Sequence, residues 1–585
     1  MNCLVTSSIP ETYDNSCENI LLEHCCLGDE DINKFTCVAE KYANEFAAGS
    51  KQSLRRHDES QRISERLANE LGQELNTILN LSSEKKYWDM VLGHFLRRYV
   101  SALAYRKDLL SIALDRFEIT HSYAIRCEHD YELVVPDNVS FCLETLNSVW
   151  NNKLNAKILQ FISQVKIIEI PPQISGYNEK TEKPSNKNKL LKNVLNAFTS
   201  FFQRDSDSVI AATYLPKIVE IFLNLYLCQM PQNHRWPEVI SPPPNQRMRQ
   251  KLKMNLSEGS TSLEKLAKKL LPEVLPTCFL ENHLTIREFT ERLKLPKNPE
   301  VIFVSNLFEN NETFKVWVAD QCSRNTPLII GQHGAGYGTH KFLQTKAFPE
   351  VKHSDLFLSW GETPVGYKSV PLYVLTNAWR ANKAFNRNGG LIILPPGRPL
   401  KCHVWDAERE FLISIQTQRI FLANLCKEIQ KKTTIRLAPN TIPEEKIEKN
   451  HWACDFPDVG VQKSNLNFHK AVTKFKLSVF FYDSTGFLEL LSRNIPVICV
   501  LPSGLSHLNE DAEKEYKALL KANLIFLDAK KAALFISAAW SHLPSWWFST
   551  RTQNAKSRFC QKFAKETSRP ISQLSHVLRR SKSHD

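Results

Sequence analysis

The segment 331–341 places glycines, two imidazoles and a lysine in one short loop. Gly334, Gly336 and Gly338 let the backbone turn sharply and approach a ligand closely, and the N–H groups of such a loop suit a phosphate or an oxyanion. An unperturbed imidazole titrates near neutrality, so we predict that His333 is a general base for an acceptor hydroxyl. The alternative is a turn whose histidine only caps a neighbour. The other candidates in this loop are Gln332, Tyr337 and Lys341.

A second candidate segment, 482–489, follows a predicted strand over 477–481 and opens a predicted helix. The first N–H groups of a helix carry the positive end of its dipole, so they suit a mono- or diphosphate. Glu489 is placed to accept the ribose hydroxyls of a nucleotide. The alternative is helix capping. Ser484 or Gly486 would then be the N-cap, and the Glu489 carboxylate would interact favourably with the positive end of the helix dipole. The candidate phosphate ligands are Asp483, Ser484, Thr485 and Gly486.

Arginines are a third group of candidate phosphate ligands, because a guanidinium stays charged and can donate two hydrogen bonds to one phosphate. Arg398 follows Gly397 in a Pro-Pro-Gly-Arg-Pro turn after a predicted strand over 391–394, and Arg436 ends a strand-like run. Either arginine is equally suited to a structural ion pair. No pair of carboxylates is spaced for a donor-bound Mg²⁺, so we expect no metal, a metal-independent reaction and no cofactor beyond the substrate nucleotide.

The candidate loops can form one site only if the fold brings the ends of their preceding strands close together. After about residue 299, short apolar runs alternate with helical patterns, which indicates parallel α/β layers. Two such units joined by a linker leave a ligand cleft at the carboxyl ends of their strands. The predicted division is an N-terminal α/β domain (1–370) with a helical insertion (about 38–290), a linker (371–390), a C-terminal α/β domain (391–544), a return helix (545–570) and a disordered basic tail (571–585).

Composition narrows the class of protein. The chain has 585 residues, a formal net charge of +13 and 42% hydrophobic residues, which suits a folded multidomain protein. No apolar run reaches the roughly 20 residues of a membrane span and no secretory signal is evident, so we expect a cytoplasmic protein. Its basic stretches lack interleaved aromatic residues, so nucleic acid is not an expected partner. Basic clusters at 247–253 and 579–582 are candidate contacts with an anionic membrane, or simply solvated charges.

Three motifs together resemble a little-characterised family of bacterial transferases associated with surface polysaccharide and lipopolysaccharide gene clusters. They are LIIGQHGAGYGTHKF (328–342), LFLSWGE (356–362) and YDSTGFLELLSRNIPVI (482–498). The likeness extends to LVTSSIPETYDN near the start, YWDMVLGHFLRRYV (87–100) and SWWFSTRTQNAKSRFCQKFA (545–564). It therefore spans nearly the whole chain and implies a transferase.

GQHG and DSTGFLE are more distantly similar to motifs of capsule-type Kdo transferases and of the glycerol-phosphate polymerases of wall teichoic acid. That likeness implies a GT-B arrangement, two Rossmann-like domains facing a cleft, with a nucleotide-activated sugar donor and a glycan or lipid-linked glycan acceptor. In the polymerases a histidine like His333 is taken as the base, and a second histidine stands where this chain has Ala438. We therefore favour an inverting glycosyltransferase over a CDP-polyol phosphotransferase. A non-catalytic scaffold for glycan assembly is the third alternative.

Overall fold

The strands form three parallel sheets. A computed structural model describes residues 2–581 except 28–34, 173–200, 233, 235, 255–259, 344–347, 364–367, 381–385, 398, 404–407, 438–451, 453 and 463–466. Within this part of the chain every pair of neighbouring strands runs parallel. The predicted α/β class is therefore confirmed.

The first two sheets have five strands each. The first contains β1 (Asn2–Val5), β2 (Glu18–Leu21), β3 (Thr36–Cys37), β4 (Ile119–Ile125) and β5 (Lys166–Ile170), in the order β3-β2-β1-β4-β5. The second contains β6 (Val209–Ala211), β7 (Ile302–Val304), β8 (Leu328–Gly331), β9 (Leu356–Ser359) and β10 (Ser369–Pro371), in the order β10-β9-β8-β7-β6.

The third sheet has the strand order of a Rossmann fold. It contains β11 (Leu391–Leu394), β12 (Thr433–Arg436), β13 (Gly460–Gln462), β14 (Leu477–Phe480), β15 (Val497–Val500) and β16 (Ile525–Phe526). Their order in space is β13-β12-β11-β14-β15-β16, which is 3-2-1-4-5-6 within the sheet. The strand order reverses between β11 and β14, and ligands of such sheets bind outside the carboxyl ends at that point.

Helices cover the sheets. Before the third sheet they are α1 (Val38–Lys41), α2 (Lys51–Leu79), α3 (Lys85–Arg116), α4 (Asn138–Glu144), α5 (Ser148–Ile162), α6 (Lys217–Tyr226), α7 (Gln246–Arg249), α8 (Ser262–Val274), α9 (His283–Glu291), α10 (Leu307–Asn310), α11 (Glu312–Ser323) and α12 (Pro349–His353). Within and after it they are α13 (Glu408–Asn424), α14 (Lys427–Gln430), α15 (Phe468–Val472), α16 (Thr485–Ser492), α17 (Glu510–Lys521), α18 (Ala529–Ala539), α19 (Leu543–Trp547), α20 (Thr550–Phe563) and α21 (Pro570–Ser581).

The long pair α2 and α3 is positioned by local signals and close packing. Ser50 caps α2 by accepting a hydrogen bond from the N–H of Ser53, and Asn80 ends it in a left-handed conformation with φ of 54°. A Cβ at Gly72 would lie 2.8 Å from the Trp88 side chain, so the two helices meet where only glycine fits. Their buried faces join the first two sheets in one large core.

The N-terminal region differs from its predicted division. The stretch expected to be a helical insertion also holds β4, β5 and β6, so the region builds two sheets instead of one. Strand β6 has only three residues, Val209–Ala211, all of them buried. A run this short carries no periodicity that distinguishes a strand from part of a helix, so β6 was not predicted, whereas the apolar runs after residue 299 indicated β7, β8 and β9.

The expectation of a disordered tail after residue 570 is wrong. Residues Pro570–Ser581 form α21, whose Leu574 and Leu578 are fully buried against α6. Apolar residues at helical spacing and a proline at the first position explain this helix, although the basic residues at its end suggested a solvated segment. Before α21 the chain returns to the second sheet, where the N–H of Lys565 donates to the Trp360 carbonyl over 2.7 Å. Over the residues described here, no helix combines the length and the hydropathy that crossing a bilayer requires.

Candidate functional site

The two loops predicted to carry chemistry touch each other. The N–H of Ala335 donates to the Thr485 hydroxyl over 2.9 Å, and a Cβ at Gly334 would lie 3.5 Å from the same oxygen. The 331–341 loop, which follows β8 of the second sheet, therefore lies against the first residue of α16 in the third sheet.

Two of the predicted glycines are required by the backbone itself. Gly336 and Gly338 have φ of +95° and +70°, a left-handed region that favours glycine. A Cβ at either position would also lie 2.4 Å from a side-chain carbon, of Leu343 or of Glu362. These glycines therefore shape the loop, whether or not a ligand approaches it.

Gln332 and Tyr337 face the interior instead of the cleft. Gln332 is 1% exposed, donates to the Gly334 carbonyl over 2.9 Å and accepts from the N–H of Trp360 over 2.8 Å. Tyr337 packs on the rings of Phe348 and Phe357, and burial raises the pKa of its hydroxyl well above the usual value. Both side chains support the loop, so their predicted place in the cleft is wrong.

His333 is partly exposed and lies between two tyrosines. Its ring stacks on Tyr214 at 6.0 Å and meets Tyr337 edge-on at 5.6 Å. Two carboxylates lie close enough to interact with it. Burial raises the pKa of Glu350, and His333 opposes that rise, whereas Arg98 and His333 outweigh burial and hold the pKa of Glu309 below its usual value. Glu309, whose low pKa keeps it ionised, therefore offers His333 a negative charge within electrostatic reach.

Asp483 is the hydrogen-bonding centre of the site. One of its oxygens, Oδ2, accepts from Nε2 of His340, Nε2 of His507 and the hydroxyl of Tyr516, each over 3.0 Å. Burial alone would raise the pKa of Asp483, but the two imidazoles hold it well below its usual value. For His507 the directions are reversed. Burial alone would lower its pKa, but the Asp483 carboxylate outweighs burial, so the pKa of His507 is raised.

The other residues predicted near the start of α16 serve the helix. Ser484 is its N-cap and accepts from the N–H of Phe487 over 3.3 Å, as the capping alternative predicted. A Cβ at Gly486 would lie 3.0 Å from the rings of Phe468 and Phe480, so glycine is needed there for packing.

Glu489 is 4% exposed and accepts from the Thr376 hydroxyl over 2.5 Å. Its own backbone carbonyl accepts from Asn377 over 3.0 Å. Glu489 therefore ties the 376–377 segment to α16, and its predicted contact with a ribose is not supported by this placement.

A cavity of about 340 Å³ opens where the strand order of the third sheet reverses. We call it the switch-point cavity. Its wall from the third sheet includes Pro396, Gly397, Phe481, Tyr482, Asp483, Ser503 and His507, and its opposite wall includes Ala48, His340, Phe342 and Leu343. Lys341 lies beside it and donates to the Ser506 carbonyl over 2.7 Å. Its position and volume are those of a small-molecule site in a sheet of this kind.

Arg436 is not among the residues that line this cavity. It ends β12, which pairs with β11, is 8% exposed, and has a pKa lowered by burial. Arg398, which follows Gly397 in the sequence, lies outside the described residues. Both phosphate-binding roles stay predictions.

The model of one transferase family, described as LIC12162 family transferase, matches residues 2–578. The chain belongs to this family. No sequence among the curated proteins matches it.

Several solved structures resemble this transferase at low similarity. Acinetobacter baumannii MurG matches with a TM-score of 0.28 and 10% identity, over 51% of this chain and 78% of that one. Anabaena HepE in complex with UDP and glucose matches with a TM-score of 0.31 and 9% identity, over 55% of this chain and 89% of that one. WaaG, a glycosyltransferase involved in lipopolysaccharide biosynthesis, matches with a TM-score of 0.29 and 10% identity, over 51% of this chain and 95% of that one.

Sequence reasoning missed two histidines of the site. His340 lies in the 331–341 loop but was passed over in favour of His333. His507 lies seven residues after the end of β15, the strand next to β14. Because the carboxyl ends of parallel strands share one edge, a search of every strand end for imidazoles would have found it.

The titration of Glu489 predicts a measurable change of stability with pH. Burial raises its pKa to about 7, although Thr376, Arg380 and Arg493 oppose the rise. Because the folded-state pKa exceeds the unfolded value of 4.5, the folded protein holds the proton more tightly. The stability that this confers is present below pH 4.5 and is lost as the pH rises through 7.

Glu489→Gln keeps an acceptor for Thr376 and does not titrate. Relative to the wild type, its free energy of unfolding should therefore increase between pH 5 and pH 8 by on the order of 3 kcal/mol, measured by urea denaturation. His469 beside it has a pKa lowered to about 3 by burial and stays neutral over this range. Glu513→Gln, which removes an exposed ion pair with Lys517, is the control and should show no such change. If the free energy of unfolding changed with pH in the same way in the wild type and in Glu489→Gln, the raised pKa of Glu489 would be contradicted.

Proposed function

We propose that this transferase is a glycosyltransferase that moves a sugar from a nucleotide-activated donor to a surface polysaccharide or lipopolysaccharide acceptor. The observation that supports it best is the switch-point cavity, where loops from the second and third sheets meet at the carboxyl ends of a Rossmann-type sheet. In sheets of this order a nucleotide phosphate binds at this edge, near the N-terminus of a helix.

In this proposal the donor nucleotide occupies the switch-point cavity and His333 deprotonates the acceptor hydroxyl. Direct attack by that hydroxyl on the sugar carbon inverts its configuration. The N–H groups at the start of α16 lie next to the 331–341 loop, as the contact between Ala335 and Thr485 indicates. They are therefore placed to offset the charge that develops on the leaving phosphate.

Two alternatives are less well supported. A scaffold without catalysis has no need for a glycine-shaped loop that contacts a helix N-terminus beside a cavity, and these features do meet here. A CDP-polyol phosphotransferase would be expected to carry a second histidine where this chain has Ala438, a position outside the described residues.

We also infer a cytoplasmic protein that attaches to an anionic membrane through α6. Ile218, Ile221, Phe222 and Leu225 on this helix are each between 42% and 52% exposed, and Trp379 packs on Phe222 with ring centroids 5.3 Å apart. Large apolar side chains on one helix face are typical of an interfacial helix.

Charge and position favour a membrane as the partner of α6. Arg579 of α21 donates to the Tyr226 carbonyl at the end of α6 and lies over the Tyr226 ring, with Arg580 next to it. Such basic groups suit anionic headgroups. Tyr214, which stacks on His333, directly precedes α6, so a lipid-linked acceptor would be presented near the proposed base. The other predicted basic cluster is a poorer candidate, because its Arg249 is 1% exposed and paired with Glu281.

The donor site is tested by a thermal-shift screen of CMP, CDP, UDP and GDP. We expect at least one nucleotide to stabilise the wild type, by about 2.7 kcal/mol at 100 times its dissociation constant. Ser503→Trp places a large ring in the cavity wall at an exposed position and should abolish the shift.

The matched control is Ser82→Trp, which should keep the shift. Ser82 is exposed and follows the end of α2. It lies about 40 Å along that helix from the cavity, because 29 residues rise 1.5 Å each. A wild type that no nucleotide stabilises, or a full shift in Ser503→Trp, would contradict the proposed donor site.

Membrane attachment is tested by sedimentation with vesicles at low salt. The wild type should sediment with phosphatidylglycerol vesicles and much less with phosphatidylcholine vesicles. Phe222→Ser combined with Leu225→Ser should remain in the supernatant. Leu143→Ser, which replaces a leucine of α4 that is 57% exposed, controls for the loss of an exposed apolar side chain elsewhere. Equal sedimentation of all variants, or none of the wild type, would contradict a role for α6.

A further inference from the structure

Three side chains with metal-binding atoms converge on the wall of the switch-point cavity. One ring nitrogen of His340, one of His507 and a carboxylate oxygen of Asp483 all lie within 4.8 Å of one another. We call them the His–Asp–His cluster. The side chains are 26%, 16% and 9% exposed respectively, and all three residues line the cavity. An ion could therefore reach them from solvent.

The separations fit a small tetrahedral ion. Each Nε2 lies 3.0 Å from Oδ2 of Asp483. Bonds of about 2.0–2.1 Å to a tetrahedral Zn²⁺ place its ligand atoms roughly 3.3 Å apart. Each nitrogen would therefore need to move away from Oδ2 by only a few tenths of an ångström to admit the ion. Two imidazoles and one carboxylate suit a first-row transition ion, whereas Mg²⁺ and Ca²⁺ prefer oxygen ligands throughout.

The surrounding structure holds the three ligands in place. Tyr516 donates its hydroxyl to Asp483 over 3.0 Å, an outer contact of the kind that orients a carboxylate ligand. The two histidine segments are paired through the backbone. The N–H of Lys341 donates to the His507 carbonyl over 3.0 Å, and His340 forms an antiparallel bridge with Leu508.

The cluster differs from two other groups of potential ligands among the described residues. The group of Asp14, Cys17 and His121 does not line the switch-point cavity, and neither does the buried group of His94, Glu309 and Glu350. The His–Asp–His cluster alone of these three combines a second-sheet loop with third-sheet residues. An ion bound there would connect the 331–341 loop to the third sheet.

We propose that His340, Asp483 and His507 bind one divalent transition ion of the Zn²⁺ class, which joins the 331–341 loop to the third sheet and leaves one coordination position open to the cavity. On binding, the ion takes an electron pair from each Nε2 and from Oδ2, and any protons held there are released to solvent. The ion holds the two walls of the cavity together. The expectation of a metal-independent transfer reaction stays a separate prediction, and this proposal does not depend on the glycosyltransferase proposal.

The metal content of the full chain tests the proposal. The protein is loaded with Zn²⁺, dialysed and analysed by mass spectrometry of the metal, as wild type and as His340→Gln, His507→Gln and the control His542→Gln. His542 is an exposed histidine outside the cluster. The wild type and His542→Gln should retain one more equivalent of zinc than either cluster variant. Zn²⁺ alone should raise the melting temperature of the first two proteins and leave the other two unchanged. Equal zinc content in all four proteins would overturn the proposal.

A spectroscopic measurement on the wild type keeps the proposal testable if a cluster variant fails to fold. Co²⁺ in a four-coordinate site of imidazole and carboxylate gives strong visible absorption, whereas six-coordinate Co²⁺ in water is weakly coloured. We expect the strong visible bands at one equivalent of Co²⁺. Weak bands only, or a thiolate charge-transfer band in the near ultraviolet, which would show that a cysteine ligates the ion, would overturn the proposal.

Discussion

One buried carboxylate oxygen connects the two sides of the site. Oδ2 of Asp483 accepts hydrogen bonds from the 331–341 loop through His340, from the segment after β15 through His507, and from α17 through Tyr516. Burying a carboxylate is costly unless its charge is paired and its lone pairs are satisfied. The low pKa of Asp483 indicates that these partners more than offset the cost. Removing a partner would leave a buried charge incompletely paired, with an expected loss of about 3–5 kcal/mol for a buried ion pair.

The location of the cavity follows from strand topology. Because β11 and β14 are neighbours whose following connections run in opposite directions, the sheet leaves a gap at their carboxyl ends. The 331–341 loop fills one side of that gap, and its contact with Thr485 fixes the distance between the sheets. Residues that look like ligands in the sequence, such as Ser484 and Gly486, thereby also cap and pack α16. Capping and phosphate binding use different N–H groups of the same helix end, so the two roles are compatible.

Sequence patterns identified β11 and β14 of the third sheet and both contacting loops, because each loop follows a continuous apolar run. They could not identify which side chains turn inward. Gln332, Tyr337 and Glu489 are chemically suited to a ligand, yet each is buried by partners distant in the chain, such as Trp360 and Thr376. The division of the N-terminal region into two sheets was missed because short strands such as β3 and β6 carry no recognisable periodicity. The cluster around Asp483 was missed because its members lie 143 and 24 residues from the aspartate in the chain, and no local spacing connects them.

We propose that His333 acts at a nucleotide-sugar site. The most direct test of this role is the rate of nucleotide release from a radiolabelled sugar donor with a bacterial membrane extract as acceptor, comparing wild type with His333→Gln and measuring nucleotide binding in parallel. Release should fall about 100-fold or more in the variant, the usual contribution of a general base, while nucleotide affinity is unchanged. An unchanged rate of release in His333→Gln would contradict it.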